Sequence, residues 1–380
     1  MDARTVGGRV YPGPMVDAVT RAEVLAFRAR AQQLDSASTA LADAAVLDFG
    51  VQDTGPDGGR WALAVRGVDV PAEGGDELAT VWTLRGAPHL YRRGDLPAVA
   101  AAVEPFSEVD AARRIFDAAK PLRAAGISPL TALDVVAAAM RELVTGPMGK
   151  GEVSGRLAEV MDEPYLRACR SCQATHLYEQ PFRLAALRAG LELAAGTSPP
   201  VLQPLPGFTR AASVPERFDV VRACLRLLGP ATPKQVAELL DSPVKEVKAR
   251  WPADAVEVAV GGESRWVLAA DEKRLAAGPV RTVRLLGPFD LFLQARDRSV
   301  LVGDQARAKA LWPVLGRPGA VLVDGEIAGL WRPRASGAKL RLLVTPWRPV
   351  PPALRASITD QAERLAAFRQ ARLVSVDFDD

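Results

Sequence analysis

Few side chains in this sequence have the type and spacing that chemistry demands. Cys169-x-x-Cys172, with His176 beyond it, places three soft ligands close together. Tetrahedral zinc needs a fourth, and only distant groups such as Cys224 or Glu179 could supply it. On a helix the two cysteines would share one face, which suits burial equally well. No glycine-rich phosphate loop and no Gly-x-Ser-x-Gly elbow is present. What the sequence has in abundance is arginine, 40 Arg against 8 Lys. A guanidinium fork grips phosphate with two parallel hydrogen bonds, although an Ala/Arg-rich genome would produce the same excess.

The chain that must position these groups is 380 residues long, 48% apolar and 24% charged. That is enough for a sizeable core and, at about 150 residues per domain, for two or three compact units. Three cysteines cannot form a paired disulfide framework. No apolar run approaches the ~18 residues of a membrane span, and MDARTVGGRVYPGP lacks the apolar stretch of a secretory signal. These features, with two histidines and three cysteines, lead to the expectation of a soluble, cytoplasmic protein without dedicated metal-cluster chemistry. The net charge of +3 is unevenly spread. Residues 1–150 hold 16 basic and 19 acidic side chains, a net of −3, and residues 281–380 hold 16 and 10, a net of +6. A basic last third is what a phosphate-facing surface needs, and an ordinary solvated surface would look similar.

Local patterns predict the elements. Thr20 and Glu23 form a capping box for a helix with Val24, Leu25, Phe27, Ala31 and Leu34 on its apolar stripe. A second helical stretch is expected over 38–48. The turn-rich segment 49–59 then puts Gln52 and Asp53 near a helix end or on a loop. Residues 60–70 read as helix or strand, and 80–84 as strand. Helices follow over 109–124, 131–143 and 153–161, and a helical pattern in EQPFRLAALRAG carries Gln180, Arg183 and Arg188. The Pro/Gly/Ser-rich stretch 196–215 reads as a linker.

The clearest unit begins at Pro215. A helix through Phe218, Val221, Leu225 and Leu228 stops at Gly229-Pro230. Thr232 caps the next, with Pro233 at its first position, and Ser242-Pro243 opens a third whose outer face carries Lys245 and Lys248. Two strands over 256–260 and 265–268, joined at Gly261-Gly262, complete the order of a winged helix. Beyond it the expectation is β-structure over 282–286, 299–302, 319–323, 326–331 and 339–344, closed by a helix over 352–369. Arg281, Arg284, Arg296, Arg298, Arg332, Arg334 and Arg341 mark its strand ends and turns.

Five segments together resemble a known family. RAEVLAFRARAQQLD (21–35), WTLRGAPHL (82–90), GPATPKQVAELL (229–240), VRLLGPFDLFLQARDRSVLV (283–302) and VLVDGEIAGLWRPR (321–334) resemble, in order, the tandem winged-helix DNA glycosylases of the AlkZ/YcaQ superfamily. The resemblance implies an α+β fold of winged-helix units around a concave basic face with a C-terminal β-rich part. The corresponding division is 1–105, 106–200, 201–275 and 276–380. It also implies monofunctional, cofactor-free hydrolysis of the N-glycosidic bond of alkylated or cross-linked purines in duplex DNA, by a monomer, in repair or antibiotic self-resistance. DNA contacts would come from His89, Arg183, Arg188, Lys245, Lys248, Arg284, Arg296, Arg298, Arg332 and Arg334. His89 and Asp290 have structural readings as well, a satisfied histidine and a turn cap.

Family members use a Gln-x-Gln or Gln-x-Asp pair near the end of an early helix, where a carboxamide or carboxylate can place a water and stabilise an oxocarbenium-like sugar. Here the segment reads Gly50-Val51-Gln52-Asp53-Thr54. If Gln52 is the second member, Gly50 replaces the first. If it is the first, Asp53 is displaced by one. Adjacent residues point in different directions, so Gln52 and Asp53 are candidate catalytic residues in an altered arrangement, unless Asp53 and Thr54 only organise the turn. The alternative function is a non-catalytic DNA-binding protein, a regulator or damage binder.

Overall fold

The computed structural model describes residues 18–55, 57–70, 75–170 and 173–379. The N-terminal segment from which the lack of a leader was read lies outside them. Helix α1 (Arg21–Ala31) starts at the expected capping box, Thr20 N–H donating to the Glu23 carboxylate at 2.8 Å. The helix expected over 38–48 is instead two 3-10 turns, Leu41–Asp43 and Ala45–Asp48. The cause is tertiary: Arg92 takes the Leu41 and Ala44 carbonyls at 2.9 and 2.6 Å, so those acceptors are diverted from an α-helical ladder. Strand β1 (Val51–Gln52), helix α2 (Gly58–Ala64), strands β2 (Leu78–Trp82) and β3 (Pro88–Arg92) and helix α3 (Leu96–Ala102) follow.

The middle of the chain is mostly helical. The helix expected over 109–124 is broken into α4 (Glu108–Arg114) and α5 (Ala119–Ala124), with Phe116 between them at φ +49°. Next come α6 (Pro129–Leu143), capped by Ser128, then β4 (Met148–Gly149) and α7 (Lys150–Val160). The hairpin β5 (Leu166–Cys169) and β6 (Ala174–Leu177), helix α8 (Glu179–Arg188) and strands β7 (Leu191–Leu193) and β8 (Val201–Pro204) complete this part. The stretch read as a linker therefore contains a strand. β8 joins a six-stranded antiparallel sheet of order β1-β3-β2-β7-β8-β4.

From residue 215 the order follows expectation. Helices α9 (Val220–Leu228), α10 (Pro233–Leu240) and α11 (Val244–Ala249) lead into the hairpin β9 (Ala255–Val260) and β10 (Glu263–Leu268). A short α12 (Glu272–Leu275) precedes β11 (Val283–Leu286). The segment 299–302 is not a strand but part of the helical turn α13 (Arg298–Leu301), because the Asp297 carbonyl accepts from Val300 N–H at 2.8 Å. After α14 (Gln305–Leu311) come β12 (Gly319–Val323), β13 (Glu326–Ser336), β14 (Lys339–Pro346), α15 (Pro352–Phe368) and β15 (Arg372–Phe378). With β11, these four strands form a five-stranded sheet of order β11-β12-β13-β14-β15, antiparallel except where β15 runs parallel to β14.

Two apolar cores hold this mixed α+β fold together. One is drawn from α1, the first strands, α9–α11 and the C-terminal sheet, and the other from α6, α7, α8 and their neighbours, with Trp82 among them. Buried ion pairs rivet the first core across long sequence separations. Arg28 on α1 clasps Asp297, at 2.7 Å, and Arg66 clasps Asp290, at 2.8 Å. Asp290 also accepts from Phe292 N–H at 2.9 Å, the capping role read from its sequence context. Among the described residues no single helix is long and apolar enough to cross a membrane.

Candidate functional site

The site is built around β1. Its register with β3 pairs Val51 with Leu90 and Gln52 with His89. Side chains alternate along an extended chain, so Val51 goes into the core while Gln52 turns outward. Gln52 and Asp53 are thus on strand and loop, not at a helix end. The approach is tight at Gly50, φ +93°, where a Cβ would stand 2.3 Å from the Tyr91 ring; only glycine fits there.

Alternation continues past the strand and separates the two candidates. Gln52 Nε2 donates to Thr54 Oγ1 at 3.1 Å, and both line a cavity of about 290 Å³. Phe289, Arg317, Arg332 and Arg334 stand in its wall. Asp53 lines a neighbouring cavity of about 610 Å³ instead. Its Oδ1 accepts from Gly59 N–H at 2.8 Å and its Oδ2 from Thr80 Oγ1 at 2.9 Å. A carboxylate at this place closes the first turn of α2, as a helix cap does. Gly58, at φ +47°, is needed there because a Cβ would lie 1.9 Å from Asp53 Oδ1. The structure does not bring Gln52 and Asp53 together as a pair.

Arginines dominate the cavity's surroundings. The Arg317 guanidinium lies over the Phe289 ring, 5.2 Å from its centroid. Burial, then the charge of Arg298, holds Arg317 below the usual arginine range. Arg296 is lowered by the same two causes, and its Nε is buried without a partner. Arg85 is pushed down to about 10, first by burial and then by Arg296. Neither Arg85 nor Arg296 lines the cavity itself: Arg85 donates to Leu239 O and to Gln294 Oε1 at 2.8 Å. In contrast, Asp57 in the same wall is neutralised by its ion pair with Arg369.

The expected DNA contacts divide sharply. Lys245, Lys248, Arg298, Arg332 and Arg334 are exposed, and Arg296 is half-buried. His89 is not a surface contact. It is 2% exposed, bonded through Nδ1 to Ala87 O at 2.9 Å and adjacent to Thr83 Oγ1. Burial, reinforced by Arg85, lowers its pKa to about 3. Arg284 donates to the Val65 and Ser36 carbonyls at 2.7 and 2.9 Å, so it ties segments of the chain to one another. Arg183 is engaged by Glu179 and Gly86 O, and Arg188 by Glu104 and Asp134.

The cysteine motif does not assemble a metal centre among the described residues, which contain no cluster of three or more His, Cys, Asp or Glu with suitable placement. Cys172 lies outside them. Cys169 is on strand β5 rather than a helix, and Glu179 is held by Lys150 at 2.7 Å. Cys224 is buried in α9, where burial pushes its thiol up, away from the thiolate a metal requires. Two side chains of the site, Phe289 and Arg317, escaped the sequence, and Thr54 was read only as a turn former. Alternation from Gln52 would have placed Thr54 in the site, whereas Arg317 signalled only a Gly-Arg-Pro-Gly turn.

A mixed α+β chain with a carboxamide facing an arginine-walled cavity fits the class that its sequence defines. Residues 52–368 match the AlkZ-like DNA glycosylase family, and the chain belongs to it; its partner class is therefore DNA. Among solved structures it is similar to Streptomyces sahachiroi DNA glycosylase AlkZ, with 21% identity, a TM-score of 0.71, and coverage of 95% of this chain and 100% of that one. That likeness is one of fold. No curated protein matches the chain in sequence.

Proposed function

We propose that this protein is a monofunctional hydrolase of the N-glycosidic bond of alkylated or cross-linked purines in duplex DNA, acting as a monomer without a cofactor. The observation that carries the proposal is the Gln52 carboxamide, set in a cavity walled by Phe289, Arg317, Arg332 and Arg334. Alkylation at N7 or N3 leaves the purine cationic and ready to depart, so acid assistance is hardly needed. What remains is to hold a water against C1′ and to offset the charge developing on the sugar. With Nε2 donating to Thr54, Gln52 Oε1 would serve as the acceptor for both tasks. Asp53 supports the reaction by fixing the turn that carries Gln52.

In this reading the helices and hairpin of 201–275 form a winged helix, with related units at 1–105 and 106–200 and the β-rich region at 276–380. Lys245 and Lys248 on α11, with Arg296, Arg298, Arg332 and Arg334, would meet phosphates. Incubation with a duplex containing N7-methylguanine, followed by alkali, tests the proposal. Strand cleavage at the lesion is expected. Tight binding without cleavage of this or of a cross-linked duplex would instead support a damage-binding protein.

A further inference from the structure

The segment Trp312-Pro313-Val314-Leu315-Gly316-Arg317-Pro318 joins α14 to β12. It carries the two most exposed large apolar side chains of the described residues, Val314 at 95% and Leu315 at 85%. Single exposed apolar residues are common on protein surfaces. Here two are adjacent, on a loop braced from both sides. Prolines fix φ at 313 and 318. The Arg298 guanidinium lies over Trp312, 4.8 Å from its ring centroid, and Arg332 Nη1 donates to Gly316 O at 2.8 Å. Such a tip is already shaped and loses little conformational freedom on binding.

Its position matters as much as its rigidity. Arg317 and Pro318 belong to the wall of the cavity that holds Gln52. Leu315 is two residues from Arg317, at most about 7 Å along the chain. The loop that carries the apolar tip also carries Arg317 and is contacted by Arg298 and Arg332, a charge pattern complementary to a phosphate backbone and opposed to another basic surface. Apolar side chains flanked by arginine are the equipment with which proteins part a base step and hold the opened duplex.

We propose that Val314 and Leu315 form a wedge that enters the base stack beside the nucleotide held at Gln52, while Arg298, Arg317 and Arg332 meet the flanking phosphates. The proposal rests on the glycosylase reading and adds the device that opens the duplex. Parting the stack gives a bulky purine adduct room to turn toward the cavity, and the apolar tip fills the gap left behind.

The test uses the full chain and a duplex with 2-aminopurine next to N7-methylguanine, its fluorescence reporting loss of stacking. Wild-type binding should raise the fluorescence severalfold. The V314S/L315S variant changes only exposed side chains; it should lose that rise and release the base about tenfold more slowly, with an unchanged salt dependence of binding. R298A/R317A should flatten the salt dependence instead. A double serine variant with the full fluorescence rise overturns the wedge. So does a wild-type dimer that this variant splits, which would make the tip a contact between copies. Wild-type release of the base without any rise removes the wedge alone. A wild-type protein that holds no duplex removes the functional reading with it.

Discussion

Gln52 and Asp53 are neighbours in sequence with unequal duties, and substitutions should separate them. Asp53→Ala removes the acceptor for Gly59 N–H and Thr80 Oγ1. It should lower unfolding stability by about 1–2 kcal/mol, as loss of a helix cap does, read by urea denaturation, while base release below the melting range falls only modestly. Thr54→Val removes the hydroxyl that orients the Gln52 amide and should slow single-turnover release about tenfold, whereas Thr54→Ser should restore it. His89 makes a prediction in pH. Its folded-state pKa lies at about 3, below the ordinary ~6.5, so between these values the unfolded chain binds a proton that the folded chain does not. Stability should therefore fall as pH drops through this window, by up to ~1.4 kcal/mol per pH unit from this group. Denaturation at pH 7 and pH 5 should show a flatter slope for His89→Gln. The chain contains two histidines, which keeps this contribution separable.

At the scale of elements, capping signals were the most legible part of the sequence. The Thr20/Glu23 box and the Thr232 cap start α1 and α10 as expected, with Gln235 completing a second box, and Gly261-Gly262 marks the turn between β9 and β10. These are local effects, decided within a few residues. Errors arose where a distant partner decided. Arg92 claims the carbonyls of 41 and 44, β2 recruits β7 and through it β8, and Arg28 with Arg265 fixes Asp297 ahead of α13. The altered Gln-Asp arrangement was visible, but its consequence was not, because whether Gln52 lies on a helix or a strand decides which neighbour shares its side. The buried Arg66–Asp290 pair gives this scale its test. Asp290→Ala leaves a guanidinium buried without its carboxylate and should cost about 3–5 kcal/mol, seen as a lowered urea midpoint.

For the molecule as a whole, charge asymmetry was legible as a total but not as a surface. Of the arginines expected to face DNA, Arg183, Arg188 and Arg284 hold the chain's own carboxylates and carbonyls, a distinction composition cannot make. Lys245 and Lys248, exposed on α11, should behave otherwise. K245A/K248A should weaken binding to any duplex, damaged or not, and reduce the slope of log K against log salt by about 2, since each phosphate contact contributes about 0.9. Arg284→Ala should leave that slope unchanged and lower stability instead. The carboxamide in the arginine-walled cavity is tested by single-turnover release of N7-methylguanine with Gln52→Ala, measured beside duplex affinity. The variant should release the base at least a hundredfold more slowly at an affinity within about twofold of the unsubstituted protein; release at an undiminished rate would exclude Gln52 from catalysis.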